Sequence, residues 1–218
     1  MTFHAWTLLY IGAALFSAGV GIYLLHSEKK SLSRICLVSI LFIMAAWPVF
    51  SFIASFVDDA EASELVIKLI FLILGFISVL FFLIPYSMGN EINNKILLLF
   101  IIPVISASIV LFAEDFAAIE YVPYGYHINY NIPAALAWSA IFIGTTAAGF
   151  YLFYKMYSNK HVGGELKIKI KYFCIGCGIA LCTAFGLNVF LMILYDIPAT
   201  GSIFTSIGVA IVFLCFRF

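Results

Sequence analysis

The sequence predicts an all-α fold: a polytopic membrane protein built as a seven-transmembrane-helix bundle, with the N-terminus outside and the C-terminus cytoplasmic. Three observations carry this. Of 218 residues, 65% are hydrophobic and 10% charged, with a mean hydropathy of +1.14, whereas an ordinary soluble domain carries about 25% charged residues. The apolar residues fall into seven long runs separated by polar breaks, and the basic residues collect in alternate breaks.

The runs span about 3–25, 35–56, 65–86, 96–112, 133–154, 172–194 and 199–216. A hydrocarbon core about 30 Å thick takes about 20 helical residues at about 1.5 Å each. The chain length therefore accommodates seven spans with short connections and leaves no room for a soluble catalytic domain. Backbone polar groups find no water in lipid, so spans are helices or a closed barrel, and continuous runs of this length lack barrel alternation. The stretch from Phe81 to Phe112 organises the topology: the end of one run, a polar break at 87–95, then a second run interrupted by Pro103. Two antiparallel spans joined there force every other break to alternate sides with it.

Taken in order, the first span follows no basic leader and has no cleavage-site pattern, so it reads as a retained helix and not a signal peptide. Its Ala13, Ser17 and Gly21 form a small-residue stripe, as do Ala140, Gly144 and Ala148 in the fifth span and Gly176, Ala180 and Ala184 in the sixth. Small residues let backbones approach in lipid, which predicts that these three spans pack inside the bundle. Pro48 and Pro103 predict kinks in the second and fourth spans, through a missing N–H and a ring clash. Before the third span, Asp58 and Glu61 have capping-box spacing; the acids Asp58, Asp59, Glu61 and Glu64 read either as a cap meeting the helix dipole or as a divalent-cation site. Glu64 and Lys68 stand at i,i+4 in the favourable order, against the alternative that Lys68 attracts an anionic ligand. Residues 113–132 read as a long outer loop. Lys167, Lys169 and Lys171 lead into the sixth span as snorkelling lysines over anionic lipid.

Lys29, Lys30, Arg34, Lys95, Lys155, Lys160, Lys167, Lys169, Lys171 and Arg217 all fall in the first, third and fifth breaks or at the C-terminal end, and Lys68 alone lies elsewhere. By the positive-inside rule these breaks are cytoplasmic.

Several chemistries are disfavoured. His4 and His127 fall at the outer side and His26 and His161 in cytoplasmic breaks, so no imidazole sits at depth to ligate haem. The seventh span carries no lysine for a retinal Schiff base. No nucleotide fingerprint occurs, and Gly163, Gly164, Glu165 and Lys167 lack the rest of a P-loop. Cys174 and Cys177 form a CxxC on the reducing side, where buried small hydrophobes are the better reading. No cofactor, no metal, no nucleic-acid partner and no catalytic constellation is expected.

The informative feature is polar and aromatic content in the outer half of the spans. Trp6, Tyr10, Trp47, Ser51, Ser106, Ser108, Trp138, Ser139, Asn188, Ser202 and Thr205 lie there, beneath the aromatic 113–132 segment with Tyr126 and His127. Interfacial belts explain Trp6 and several tyrosines, but an amide within a span, Asn188, needs a partner or a cavity. The prediction is an outward-opening small-molecule pocket with Trp47, Ser106, Trp138, Ser139, Asn188, Thr205, Tyr126 and His127 as candidate ligand-binding residues.

Phe81, Phe82, Pro85, Tyr86 and Gly89 at the third-span end, the run from Leu97 to Ile105, Ile197 and Pro198, and the close from Leu214 to Phe218 resemble the seven-helix sensor region at the N-terminus of many bacterial membrane histidine kinases. The resemblance covers most of the chain as a pattern and brings no catalytic residues with it. It implies a multi-pass protein of the bacterial plasma membrane that detects an external or membrane-borne small ligand. The signal would leave through the seventh helix and its end, Phe216 and Arg217, to cytoplasmic histidine-kinase-type modules, in cis beyond Phe218 or in trans. A homodimer is implied because such kinases act as dimers. A small-solute transporter is the alternative, for which spans interrupted at mid-membrane and an internal repeat are expected.

Overall fold

In the computed structural model, residues 5–26, 31–54, 57, 59–89, 101–114, 116–122, 125–185, 205 and 207–212 are described. They form α1 (Ala5–Leu25), α2 (Leu32–Ala54), α3 (Ala60–Gly89), α4 (Ile101–Phe112), β1 (Ala117–Val122), β2 (Gly125–Tyr130), α5 (Ile132–Ser158) and α6 (Gly164–Phe185). Residues 207–212 are also helical. The protein is mostly helical, and four stretches, Leu8–Leu25, Leu32–Ala54, Glu61–Met88 and Ile132–Ser158, are long and apolar enough to cross a membrane. Large apolar side chains cover outward faces: Leu15 on α1 and Leu136 on α5 are largely exposed, as are Val104 and, at 84%, Phe112 on α4. Such a surface is stable against lipid and not against water. The chain is a membrane-embedded helical protein.

Contacts along α3 set the course of the chain. Phe71 meets Trp138 at 4.8 Å between ring centroids, while Phe81 meets Phe150 at 4.8 Å and Phe153 at 5.5 Å. Rising numbers on one helix match rising numbers on the other, so α3 and α5 run parallel. The start of α6 folds back on both, with Phe173 stacked on Phe81 at 5.8 Å and 5.0 Å from Phe153. At the same end, the Ser33 and Ser87 hydroxyls share a 2.8 Å hydrogen bond between the start of α2 and the end of α3.

Several expectations are corrected. The 113–132 segment is not a loop throughout. It holds an antiparallel hairpin in which Ala117 pairs with Tyr130, Ala118 with Asn129 and Val122 with Gly125. Its strand period is visible where burial is described: Ala117 and Ile128 are buried, while Ala118 and Asn129 are exposed. Asn131 fastens the hairpin to α5. Its side chain accepts from the Ala134 N–H at 3.3 Å and donates to the Glu114 carbonyl at 3.0 Å, and its own N–H donates to Phe116 O at 3.1 Å. This is an N-cap that also closes a loop.

The small-residue stripes divide in their behaviour. The α6 stripe does bring backbones together: a Cβ on Gly208 would lie 2.5 Å from Gly176 O and 2.6 Å from the Ala180 Cβ. The α1 stripe is buried at Ala13 and Ser17 and faces α2, with Gly21 against Leu41 and Phe42; among the described elements α1 packs chiefly on α2. In α5 the stripe points away from the core, since Ala140 and Gly144 are exposed. The buried face is Trp138, Phe142, Thr146, Gly149 and Phe153 instead. Bulk decides here, because four large or polar side chains fill the interior against α3, where Gly149 alone admits Phe81.

Helix limits also shift. Asp59 caps α3, its Oδ1 accepting from the Glu61 N–H at 3.1 Å; Asp58, which the spacing pointed to, lies outside the described residues. One turn on, Lys68 pairs with Glu64 at 2.8 Å, as the spacing predicted. α6 begins eight residues before the apolar run because its charged first turns satisfy themselves: Lys169 binds Glu165 at 2.5 Å, and that hydrogen bond and charge hold the exposed Glu165 carboxyl below its ordinary range.

A direct check compares two glycines. Gly208→Ala forces a methyl against backbone and should cost about 1–3 kcal/mol, whereas a Cβ on Gly144 meets nothing within 4 Å and Gly144→Ala should cost nothing. Thermal unfolding of both variants in detergent micelles reads the difference; equal stability would mean that the α6 crossing is not close-packed.

Candidate functional site

Between α2, α3, α5, α6 and residues 205 and 207–212 lies a partly open cavity of about 160 Å³. Two aromatic groups bound it. At the hairpin end Phe71 meets Phe116, Tyr130 and Trp138 in near-perpendicular ring pairs at 4.8–5.7 Å, and Trp138 stacks on Phe142 at 5.1 Å. At the other end stand Phe81 and Phe173. Between them, α2 contributes Leu41, Met44 and Trp47, and the opposite wall is small or short: Gly176, Cys177, Ala180 and Gly208. The hairpin closes one end through Ile128 and Tyr130.

This lining is almost wholly apolar. Among the described residues, no Asp, Glu, Lys, Arg or His lines the cavity. Its lining residues with a polar group are Ser51, Thr146 and Thr205, each at most 6% exposed, with Tyr130, Cys177 and Trp138.

Two of these polar atoms stand out. Trp138 Nε1 and Thr146 Oγ1 are buried and have no hydrogen-bond partner among the described residues. Other helix hydroxyls solve the same problem locally. Thr145 donates to Ile141 O at 2.8 Å, Thr183 to Ile179 O at 2.9 Å, Ser78 to Gly75 O at 3.0 Å and Ser108 to Val104 O at 2.9 Å. Thr146, adjacent in sequence to Thr145, does not. A buried polar group left bare costs about 1–3 kcal/mol, so two on one helix face, eight residues apart, identify that face as unfinished. Gly75 is where α3 comes close to this side of the indole: a Cβ there would lie 3.9 Å from Trp138 Nε1 and crowd Ser106 Oγ on α4 at 3.1 Å.

Of the residues predicted to bind a ligand, Trp47, Trp138 and Thr205 line the cavity. Ser106 is buried on α4 near Gly75, outside the lining, and Ser139 is half-buried one position round α5 from the cavity face. Tyr126 and His127 belong to β2, and their side chains lie outside the described residues, as do Asn188, Phe216 and Arg217. The cavity also reaches deeper than the predicted outer-half pocket, to Leu37 and Phe81. Sequence reasoning used Gly176, Ala180 and the mid-span hydroxyl Thr146 only as packing detail or not at all; yet small residues facing large ones are what leave space, and Thr146 is the signal that the space is polar at one point.

Compared with known proteins, the chain matches no family model and no curated protein.

Thr146→Val removes the bare hydroxyl at nearly constant shape and should raise the stability of the ligand-free protein by about 1–2 kcal/mol. Thr145→Val, which loses a satisfied hydroxyl, should not stabilise. Thermal unfolding of the two variants in the same micelles decides, and destabilisation by Thr146→Val would reveal a partner for that oxygen.

Proposed function

We propose that this chain is a transmembrane sensory domain of seven helices, N-terminus outside and C-terminus cytoplasmic, in the bacterial plasma membrane. A small ligand, external or membrane-borne, occupies the cavity beneath the hairpin, and the helix that follows residue 205 carries the change to a histidine-kinase-type module in cis or in trans. The observation that carries this reading is an interior cavity with two bare polar atoms, walled on one side by the last described helix. A ligand that fits one arrangement of that wall better than another shifts the population between them.

The orientation is supported by how the ends are grouped. The Ser33–Ser87 contact and the α5–α6 junction, with Lys155 and Lys160 near it, lie at one end of α3, and the hairpin lies at the other. Basic residues on the first group and acids near the second fit a cytoplasmic and an outer face respectively.

Two measurements test the proposal. In a cysteine-free background, Asn129→Cys should react with a membrane-impermeant maleimide on intact cells and Lys160→Cys only after permeabilisation; the reverse pattern would overturn the orientation.

For the pocket, a compound that raises the melting temperature of the purified chain should do so less with Leu74→Phe, which places a larger side chain in the cavity wall. Equal shifts in both proteins would remove the cavity as the binding site.

A further inference from the structure

The cavity's chemistry narrows what it accepts. Its apolar lining favours a hydrocarbon body, and its volume sets the size, since an apolar cavity of about 150 Å³ takes a benzene-sized molecule. Among the described residues no charged side chain lines it, so a carboxylate or ammonium group inside would have lost its hydration with no counter-charge to replace it. The two bare atoms supply the remaining constraint. Indole Nε1–H is a donor only, and a threonine hydroxyl donates or accepts. A hydrogen-bond acceptor, of which a carbonyl or ether oxygen is the uncharged and compact form, is therefore the group that both residues can bond.

We infer that the cavity takes an uncharged, compact, largely apolar molecule of ring size bearing a hydrogen-bond-accepting oxygen, a ketone or ether in type, held through Trp138 Nε1 or Thr146 Oγ1. This rests on the reading of the cavity as a binding site and goes beyond it by fixing the ligand's charge, size and polar group. A second donor on the ligand is not required, and the described lining holds no charge to receive an anionic group.

The test uses the purified full chain in lipid nanodiscs with methyl-labelled methionine. Met44 lines the cavity and is buried, so its methyl resonance, assigned with Met44→Leu, reports occupancy. Three probes of one ring are titrated, with concentrations referred to the lipid phase: cyclohexanone, methylenecyclohexane, which replaces the oxygen by CH₂, and cyclohexanecarboxylate at pH 7. Cyclohexanone should move the Met44 signal with an affinity about three- to tenfold above that of methylenecyclohexane, the range that one net hydrogen bond provides, and the carboxylate should not move it. In Trp138→Phe/Thr146→Val the two neutral probes should become equal. Parity of the neutral probes in the unaltered chain, a preference that survives in the double variant, or binding of the carboxylate overturns the inference while leaving the cavity as a site. A Met44 signal that no probe moves overturns the binding site itself, and the ligand class with it.

Discussion

Lipid offers no contrast between the inside and the outside of this bundle, and the rest of the structure depends on that constraint. Val110 is fully buried and Phe112, two residues on, is almost fully exposed; both are apolar, and hydrophobicity does not distinguish them. What holds helices together is then contact quality: backbone approach at small residues, interlocked rings, and backbone polar groups satisfied within each helix. Gly149 admits Phe81, whose ring edge would lie 2.6 Å from an added Cβ, and Gly208 lies against Gly176 and Ala180. These two crossings place α5 and the segment at 207–212 on either side of the space that α2 and α3 wall.

α3 organises the interior because it touches both ends of that space. At one end Phe71 gathers Phe116, Tyr130 and Trp138; at the other, Phe81 gathers Phe150, Phe153 and Phe173. Edge-on and offset ring pairs add about 0.5–1.5 kcal/mol each beyond their area, so the two ends are held more firmly than the middle. The hairpin takes part through Phe116 and Tyr130, and Asn131 fixes it to the start of α5. The hairpin is thereby coupled to one end of the interior by side-chain packing.

How much of this the sequence disclosed follows from which physical signal each feature leaves. Membrane embedding and the helical class follow from long apolar runs, because lipid admits few other structures. The Glu64–Lys68 pair was legible because i,i+4 geometry is local. The hairpin was not read: its alternation of Ala117, Ala118, Ile128 and Asn129 is short, and aromatic residues near an interface have another explanation. Helix facing was read from small residues and failed in α5, because a stripe of Ala140, Gly144 and Ala148 serves equally on an exposed face, and only the partner helix decides. Trp47, Trp138 and Thr205 were found as polar or amphipathic residues in apolar surroundings. Thr146 was not, since a helix threonine ordinarily bonds the carbonyl four residues back, as Thr145 does, and nothing in one sequence says which of two neighbours will fail to.

That failure has an energetic meaning. At about 24 cal/mol per Å³, a void of this volume corresponds to about 4 kcal/mol relative to a filled interior, and a bare buried donor adds about 1–3 kcal/mol. An occupant that fills the space and accepts one hydrogen bond offsets an amount of the same order as millimolar to micromolar binding, about 4–8 kcal/mol. Shifting a two-state equilibrium from 1:99 to 99:1 takes about 5.5 kcal/mol of differential affinity. The void therefore stores enough free energy to bias the bundle, provided that the second arrangement collapses it. Such a collapse would act at the wall with least side chain, where Gly176, Ala180 and Gly208 already lie in backbone contact. Those residues have little side-chain bulk to resist sliding, whereas the ring clusters at the two ends of α3 do, so in such a collapse the free energy of filling would fall chiefly on the crossing of α6 with the helix that follows residue 205.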